Sequence, residues 1–270
     1  MKLRLDKLLV ERRLAPTRER AQALILAGRV LVHEQKLDKP GHAVDQDAPI
    51  RLLGSDLRYV SRGGLKLEAA LAHWHIDLTG RFCLDVGAST GGFTDCMLQH
   101  GAARVLAIDT GYGQIAQSLR DDPRVTLMER TNARLLRPGD LPPGITFLAM
   151  DVSFISATLV LPPVLAAVGV LKGHGFSRAE HRAENEGASA PEAYPSSTLE
   201  AILLIKPQFE AGREHVGKGG IVRDPAARQL AIDRVRACVE ENRGSDIEVI
   251  DSPITGTEGN REFLLHAHWS

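Results

Sequence analysis

The stretch Asp85-Val86-Gly87-Ala88-Ser89-Thr90-Gly91-Gly92 lies between the apolar run Phe82-Cys83-Leu84 and a helix-like segment, and it constrains the fold of this 270-residue chain more than any other feature. A strand ending at Asp85 passes into a turn. There Gly87 lets the backbone approach a ligand closely, and Gly91 and Gly92 permit tight helix packing. A second strand, Ala103 to Ile108, ends at Asp109, an acid placed to accept hydrogen bonds from ribose hydroxyls. Loop and acid together point to an adenosine-bearing cofactor. The glycines do not follow G-x-G-x-x-G, and the sequence holds no G-x-x-x-x-G-K-[ST], so a pyrophosphate ligand is disfavoured and S-adenosylmethionine is expected. A glycine-rich turn that binds nothing is the alternative at this stage.

Beyond the loop, strand-like and helix-like segments alternate: Val125 to Met128, Ile145 to Asp151, a helix through Leu165, Ala201 to Lys206, a helix through Val239, and Ile247 to Asp251. This is the pattern of a doubly wound α/β domain. The last segment, Phe263 to Ala267, is expected to enter the sheet at the end, as the antiparallel strand does in one known version of this fold. Ligands in such sheets sit at the carboxyl ends of the parallel strands. Asp151 and Lys206 end two strands, and Glu262 begins the antiparallel one, which brings it to the same edge. Lys66 falls in the first turn of an earlier helix, where its charge opposes the helix dipole and calls for another reason. These four residues can converge, although any one of them alone reads as a polar residue where a strand meets solvent.

The first 60 residues have a different texture. Leu5, Leu8 and Leu9 repeat at helical spacing, as do Ala21, Leu24 and Ile25, with Thr17 placed to cap the second helix and Gly28 to end it. Val30, Val32, Val44, Ile50 and Leu52 then fall among turn residues, as short strands would. Up to residue 30 there are eight Lys or Arg against three acids, a local net of +5 in a chain whose formal charge is -1 (33 basic, 34 acidic). Positive charge for a polyanion is therefore concentrated here, and Arg4, Lys7, Arg18, Arg20 and Arg29 are the candidate phosphate contacts. An ordinary solvated helix face and a DNA-reading helix-turn-helix are the competing readings; the strand-like continuation favours a compact α+β module over the latter.

Other classes are disfavoured by what the sequence lacks. Cys83, Cys96 and Cys238 are far apart and show no C-x-x-C pairing or His/Cys cluster, so neither a metal nor a disulfide framework is expected and a reducing cytoplasm fits. The amino-terminal residues are charged from the outset and have no signal-peptide core. The longest apolar run, Ala157 to Leu171, has 15 residues and contains Pro162 and Pro163, so a membrane span is not expected.

Leu-Asp-Lys-Leu-Leu, Thr-Arg-Glu-Arg-Ala-Gln-Ala-Leu-Ile and Ala-Gly-Arg-Val-Leu-Val, in that order over residues 1 to 60, resemble the RNA-binding domain named after ribosomal protein S4. Further motifs are Arg62 to Leu67, Asp85 to Thr94, Gly111 to Gln114, Glu129 to Arg134, Asp151 to Ser156, Lys206 to Glu210 and Gly259 to Glu262. With these the whole chain resembles the haemolysin-A (TlyA-like) family of ribosomal RNA 2′-O-methyltransferases, which join an S4 domain to an FtsJ-like methyltransferase domain.

The resemblance implies an RNA-binding domain over 1–60 that holds ribosomal RNA or a ribosomal subunit, and a Rossmann-like methyltransferase domain over 61–270. It implies a Lys-Asp-Lys-Glu tetrad at Lys66, Asp151, Lys206 and Glu262. The cofactor role falls on Asp85, Gly87, Ala88, Ser89, Gly91, Gly92, Phe93, Asp109 and Asn132. An Ala/Glu/Ser/Pro-rich segment, 173–199, departs from the family pattern and reads as a mobile insertion.

Methyl transfer to a ribose hydroxyl needs a group that orients the hydroxyl and relieves its proton. Lys206 suits either role: accepting the proton if neutral, stabilising the developing alkoxide if charged. Phe154 and Phe209 flank these positions and could stack on a base. A base-amino methyltransferase, with Asp151-Val152-Ser153-Phe154 in the motif position, a membrane-active haemolysin and a non-catalytic RNA-binding protein are the alternatives.

Overall fold

In the computed structural model, all residues are described except 1, 16, 54–57, 171–197 and 257–258. The chain divides into two compact units, Met1–Leu57 and Arg58–Ser270.

In the smaller unit, β1 (Lys2–Arg4) pairs antiparallel with β4 (Ala43–Asp45), and β2 (Val30–Val32) is flanked by β3 (Gln35–Lys36) and β5 (Ile50–Leu52). Helices α1 (Leu5–Glu11) and α2 (Arg18–Leu26) bury the two apolar sets: Leu5, Leu8 and Leu9 pack with Ala21, Leu24 and Ile25 over Val30, Val32 and Val44. The Thr17 hydroxyl accepts from the Arg20 N–H at 3.2 Å, and Gly28 takes a left-handed φ of +63° where α2 ends.

The larger unit begins with α3 (Gly63–His73), whose Gly64 has no room for a side chain, since a Cβ would lie 2.3 Å from the Tyr59 ring. Its strands are β6 (Phe82–Val86), β7 (Arg104–Ile108), β8 (Val125–Met128), β9 (Phe147–Met150), β10 (Leu199–Ile205), β11 (Ser245–Asp251) and β12 (Phe263–Trp269). They form one sheet in the order β8-β7-β6-β9-β10-β12-β11. From β8 to β10 all neighbours are parallel, and β12 is antiparallel to both β10 and β11. The last strand thus enters between two others. Helices α4 (Gly92–Gln99), α5 (Gln117–Arg120), α6 (Ala157–Val168), α7 (Pro207–Glu210) and α8 (Pro225–Glu241) complete the unit. The central strands are near-continuous apolar runs buried on both faces, as a covered parallel sheet requires.

The chain turns back across the sheet between β6 and β9, and the switch point is tied by the Asp151 N–H donating to Val86 O at 2.9 Å. Helix α6 keeps both prolines inside it. Pro162 cannot donate to Thr158 O, and the Cys238 thiol lies 3.7 Å from that carbonyl and takes part of the missing role. Among the described residues no helix is long and apolar enough to cross a membrane. Of the expected insertion, residues 173–197 lie outside the described residues, while Leu199 already opens β10 and is fully buried.

Candidate active site

All four tetrad residues line one cavity of about 280 Å³ at the carboxyl edge of the sheet. They are arranged as two ion pairs. Lys66 on α3 donates to Glu262 Oε2 at 2.5 Å, both side chains being nearly buried at 10% and 3% exposure. This partner supplies the reason for a lysine in the first turns of a helix. Lys206, between β10 and Pro207, lies 2.6 Å from Asp151 Oδ1, close but off the hydrogen-bonding direction, and donates to the Ser153 hydroxyl at 2.6 Å. Glu262 is held by the turn before β12, where buried Asn260 accepts from the Val222 N–H at 2.9 Å and donates to Gly220 O at 2.8 Å.

Two further cavities adjoin the first. One, of about 520 Å³, shares Gly87, Ser89, Asp151 and Ser153 with it and extends past Ile108, Asp109, Gly111, Asn132, Ile155 and Val160. That volume falls in the range of small-molecule sites, and its mixture of aliphatic wall and few polar groups suits a nucleoside. The other, of about 400 Å³, shares Ser153, Lys206 and Glu262 and is walled by Phe154, Gln208 and Phe209. Phe154 is 92% exposed, has a left-handed φ of +64°, and its ring centroid lies 5.5 Å from that of Phe209. The tetrad therefore stands between a largely aliphatic cleft that carries Asp109 and an aromatic one.

The loop residues divide by position. Gly87, Ala88, Ser89, Gly92 and Phe93 line the tetrad cavity. Gly87 has φ +89°, and a Cβ there would lie 2.4 Å from Asp151 O, so only glycine lets the two strand ends approach. Asp109 accepts from the Ser89 N–H at 2.8 Å and the Gly111 N–H at 2.6 Å, leaving carboxylate lone pairs for a ligand. Asn132 lines the same cleft and accepts from the Arg134 N–H at 3.1 Å. Asp85 and Gly91 line none of these cavities. At Gly91 a Cβ would strike Leu119 at 2.3 Å, so this glycine shapes the loop from behind.

Asp85 is fully buried beneath the loop, where Thr94 donates to it at 2.6 Å and its Oδ1 has no partner. Burial pushes its carboxyl up to about 7, the Thr94 hydrogen bond opposing and the Asp151 charge adding to the rise. Below about pH 4 the group is protonated folded or unfolded; from there to about 7 only the unfolded chain loses its proton. Stability attributable to Asp85 is thus complete at low pH and falls as pH rises through that window, by at most about 1.4 kcal/mol per pH unit. Asp85→Asn should flatten this slope, as read from denaturant midpoints between pH 4.5 and 7.5; parallel profiles for the two proteins would refute it.

In the smaller unit, Arg4 and Arg18 converge on buried Asp6, with Arg4 Nη2 at 2.9 Å and Arg18 Nε at 3.0 Å. The Arg4 hydrogen bond, against the cost of burial and with help from Gln22 and Arg18, holds the Asp6 carboxyl well below the usual range. Each arginine is half exposed, so one side of each guanidinium braces the fold while the rest faces solvent. Lys7 is exposed, Arg20 is partly buried, and Arg29 donates from Nε to Leu53 O at 2.9 Å. Sequence reasoning gave no role to Ser153, which borders all three cavities, nor to Ser61 and Arg62 at the tetrad cavity; Ser153 sits in the Asp151-to-Ser156 motif but carries no charge to mark it.

Comparison with known proteins agrees with this architecture. Residues 59–269 match the FtsJ-like methyltransferase family and residues 3–50 match the S4 domain. The chain is 47% identical to YqxC of Bacillus subtilis, whose name provisionally assigns it to the rRNA methyltransferases, over 99% of this chain and 86% of that one. It is 39% identical to the 16S/23S rRNA (cytidine-2′-O)-methyltransferase TlyA of Mycobacterium tuberculosis, over 97% of this chain and 88% of that one. A solved structure from Streptococcus thermophilus, provisionally named a hemolysin, superposes with a TM-score of 0.68 at 38% identity, covering 100% of this chain and 89% of that one. With an S4 domain followed by a sheet of methyltransferase topology, this chain belongs to the TlyA-like, haemolysin-A family of FtsJ-like methyltransferases.

Proposed function

We propose that this enzyme transfers a methyl group from S-adenosylmethionine to a ribose 2′-hydroxyl of ribosomal RNA. The observation that carries the proposal is the placing of the tetrad between two clefts that share its walls. The glycine-lined switch point and the Asp109 cleft fit the cofactor, with Asp109 receiving ribose hydroxyls, Asn132 and Ile155 bordering the nucleoside, and the loop from Gly87 to Phe93 lying toward the tetrad. S-adenosylmethionine supplies an electrophilic methyl group on a sulfonium. Lys206, steadied by Asp151 and Ser153, would orient the acceptor hydroxyl and balance the charge that develops on its oxygen, the hydroxyl proton passing to solvent water. Lys66 and Glu262 form the opposite wall and hold its shape. On the other side Phe154 and Phe209 present faces on which an unpaired base can stack.

In this reading residues 1–60 hold folded RNA and residues 61–270 carry out the chemistry, in the cytoplasm where ribosomal subunits are found. Arg4, Lys7, Arg18, Arg20 and Arg29 supply phosphate contacts in the first of these. The test is incubation of the full chain with methyl-labelled S-adenosylmethionine and purified small or large ribosomal subunits, followed by digestion to nucleosides. Label on a 2′-O-methylribonucleoside supports the reading. Label on an exocyclic base nitrogen would replace it with base-amino methylation, and an absence of label from both subunits would overturn the substrate assignment.

A further inference from the structure

His266 and His268 alternate on β12, so both imidazoles project from the same face of the sheet. The register places His268 directly opposite Glu200 and His266 opposite Ile202, two residues along the same face. His266 Nε2 lies 2.9 Å from Glu200 Oε1 and His268 Nε2 lies 3.5 Å from the same oxygen. Ligand atoms of all three residues fall within 4.8 Å of one another. Bonds of about 2.0 to 2.1 Å to a tetrahedral zinc ion require ligand atoms roughly 3.3 Å apart, and the separations of 2.9 and 3.5 Å bracket that value.

We propose that Glu200 Oε1, His266 Nε2 and His268 Nε2 form a three-point site for a divalent transition-metal cation of the zinc class.

An ordinary histidine–carboxylate hydrogen bond accounts for His266 but leaves His268 unexplained. Its Nε2 is too far from Glu200 for a normal hydrogen bond, and its Nδ1 is buried with no partner. A cation would take up Nε2, and Asp246, whose carboxylate lies 3.9 Å from Nδ1, is placed to receive the remaining N–H, the outer partner that metal-bound imidazoles usually have.

The other ligands are already braced. Arg81 holds Glu200 Oε2 at 2.5 Å and leaves Oε1 turned toward the imidazoles, while Trp74 stacks on His266 with centroids 5.0 Å apart. His268 is 38% exposed, which gives the ion an entry path and room for water as a fourth ligand. Lys206 lies six positions beyond Glu200, about 20 Å at 3.3 Å per residue, so the ion is structural, cross-linking β12 to β10 away from the reacting atoms.

The test uses the full chain, stripped with a chelator and reloaded with zinc chloride or, as a spectroscopic probe, cobalt chloride. One zinc per chain should remain after gel filtration. Cobalt should give the visible ligand-field bands of a tetrahedral site, and it should quench Trp74, which stacks on a ligand. His268→Gln, a change at a partly exposed position, should lose the bound zinc and the cobalt bands, and Glu200→Gln should weaken both. A wild-type chain that retains no zinc, or a His268→Gln chain that retains as much as the wild type, would overturn the site.

Discussion

Lys206→Ala is expected to lower the single-turnover rate of methyl transfer by about 10²- to 10⁴-fold, the usual contribution of a positioned acid–base or charge-stabilising group, while S-adenosylmethionine binds almost as before. The separation of the two effects follows from geometry. Lys206 lines the tetrad and aromatic cavities but not the Asp109 cleft, so its loss touches the acceptor side. Asp151 borders both the tetrad cavity and the cleft, and changing it should divide its effect between binding and rate. The measurement is rapid-quench methylation of ribosomal RNA with enzyme in excess, alongside calorimetric cofactor binding. A Lys206→Ala protein that is folded, binds cofactor and transfers methyl at the wild-type rate would eliminate the proposed mechanism.

Lys66→Met should destabilise the larger unit by about 3 to 5 kcal/mol, the range found when one partner of a buried ion pair is removed and the other keeps its charge without compensation. Glu262 would be that remaining partner, with 3% of its side chain exposed and its other neighbours fixed by the turn at Asn260. The double variant Lys66→Met/Glu262→Gln removes the charge as well and should recover most of the loss, and the single Glu262→Gln variant completes the double-mutant cycle. Both tryptophans of the chain, Trp74 and Trp269, lie in the larger unit, so their fluorescence during urea unfolding reports this unit alone. A single variant within about 1 kcal/mol of wild type would mean the pair is solvated and worth no more than a surface salt bridge.

The tetrad was legible in sequence because each member abuts a recognisable boundary: Asp151 and Lys206 at strand ends, Glu262 before a strand, Lys66 at a helix start. Which lysine meets which carboxylate was not. The Lys66–Glu262 contact spans 196 residues and depends on where β12 enters the sheet, a fact set by tertiary pairing and not by local periodicity. The same entry brings His266 and His268 to Glu200, a juxtaposition set by strand pairing and absent from any local spacing in the sequence. Basic residues near the amino terminus were readable as charge, yet the buried Asp6 that engages Arg4 and Arg18 was invisible to a count of net charge. Asp85 and Gly91 were recognised as parts of the loop, but only packing shows that they support it from beneath and behind.

The insertion of β12 between β10 and β11 also fixes an order of events during synthesis. All other strands of the sheet leave the ribosome before β12 does, so until then β10 and β11 each present an unpaired edge able to pair with another chain. Lys66 has no Glu262 to meet during that interval, and the wall of the tetrad cavity is open. An incomplete chain therefore has the Asp85-to-Gly92 loop and an exposed β10 edge but not the closed tetrad cavity, and the strand that covers that edge is the one that brings Glu262 to Lys66.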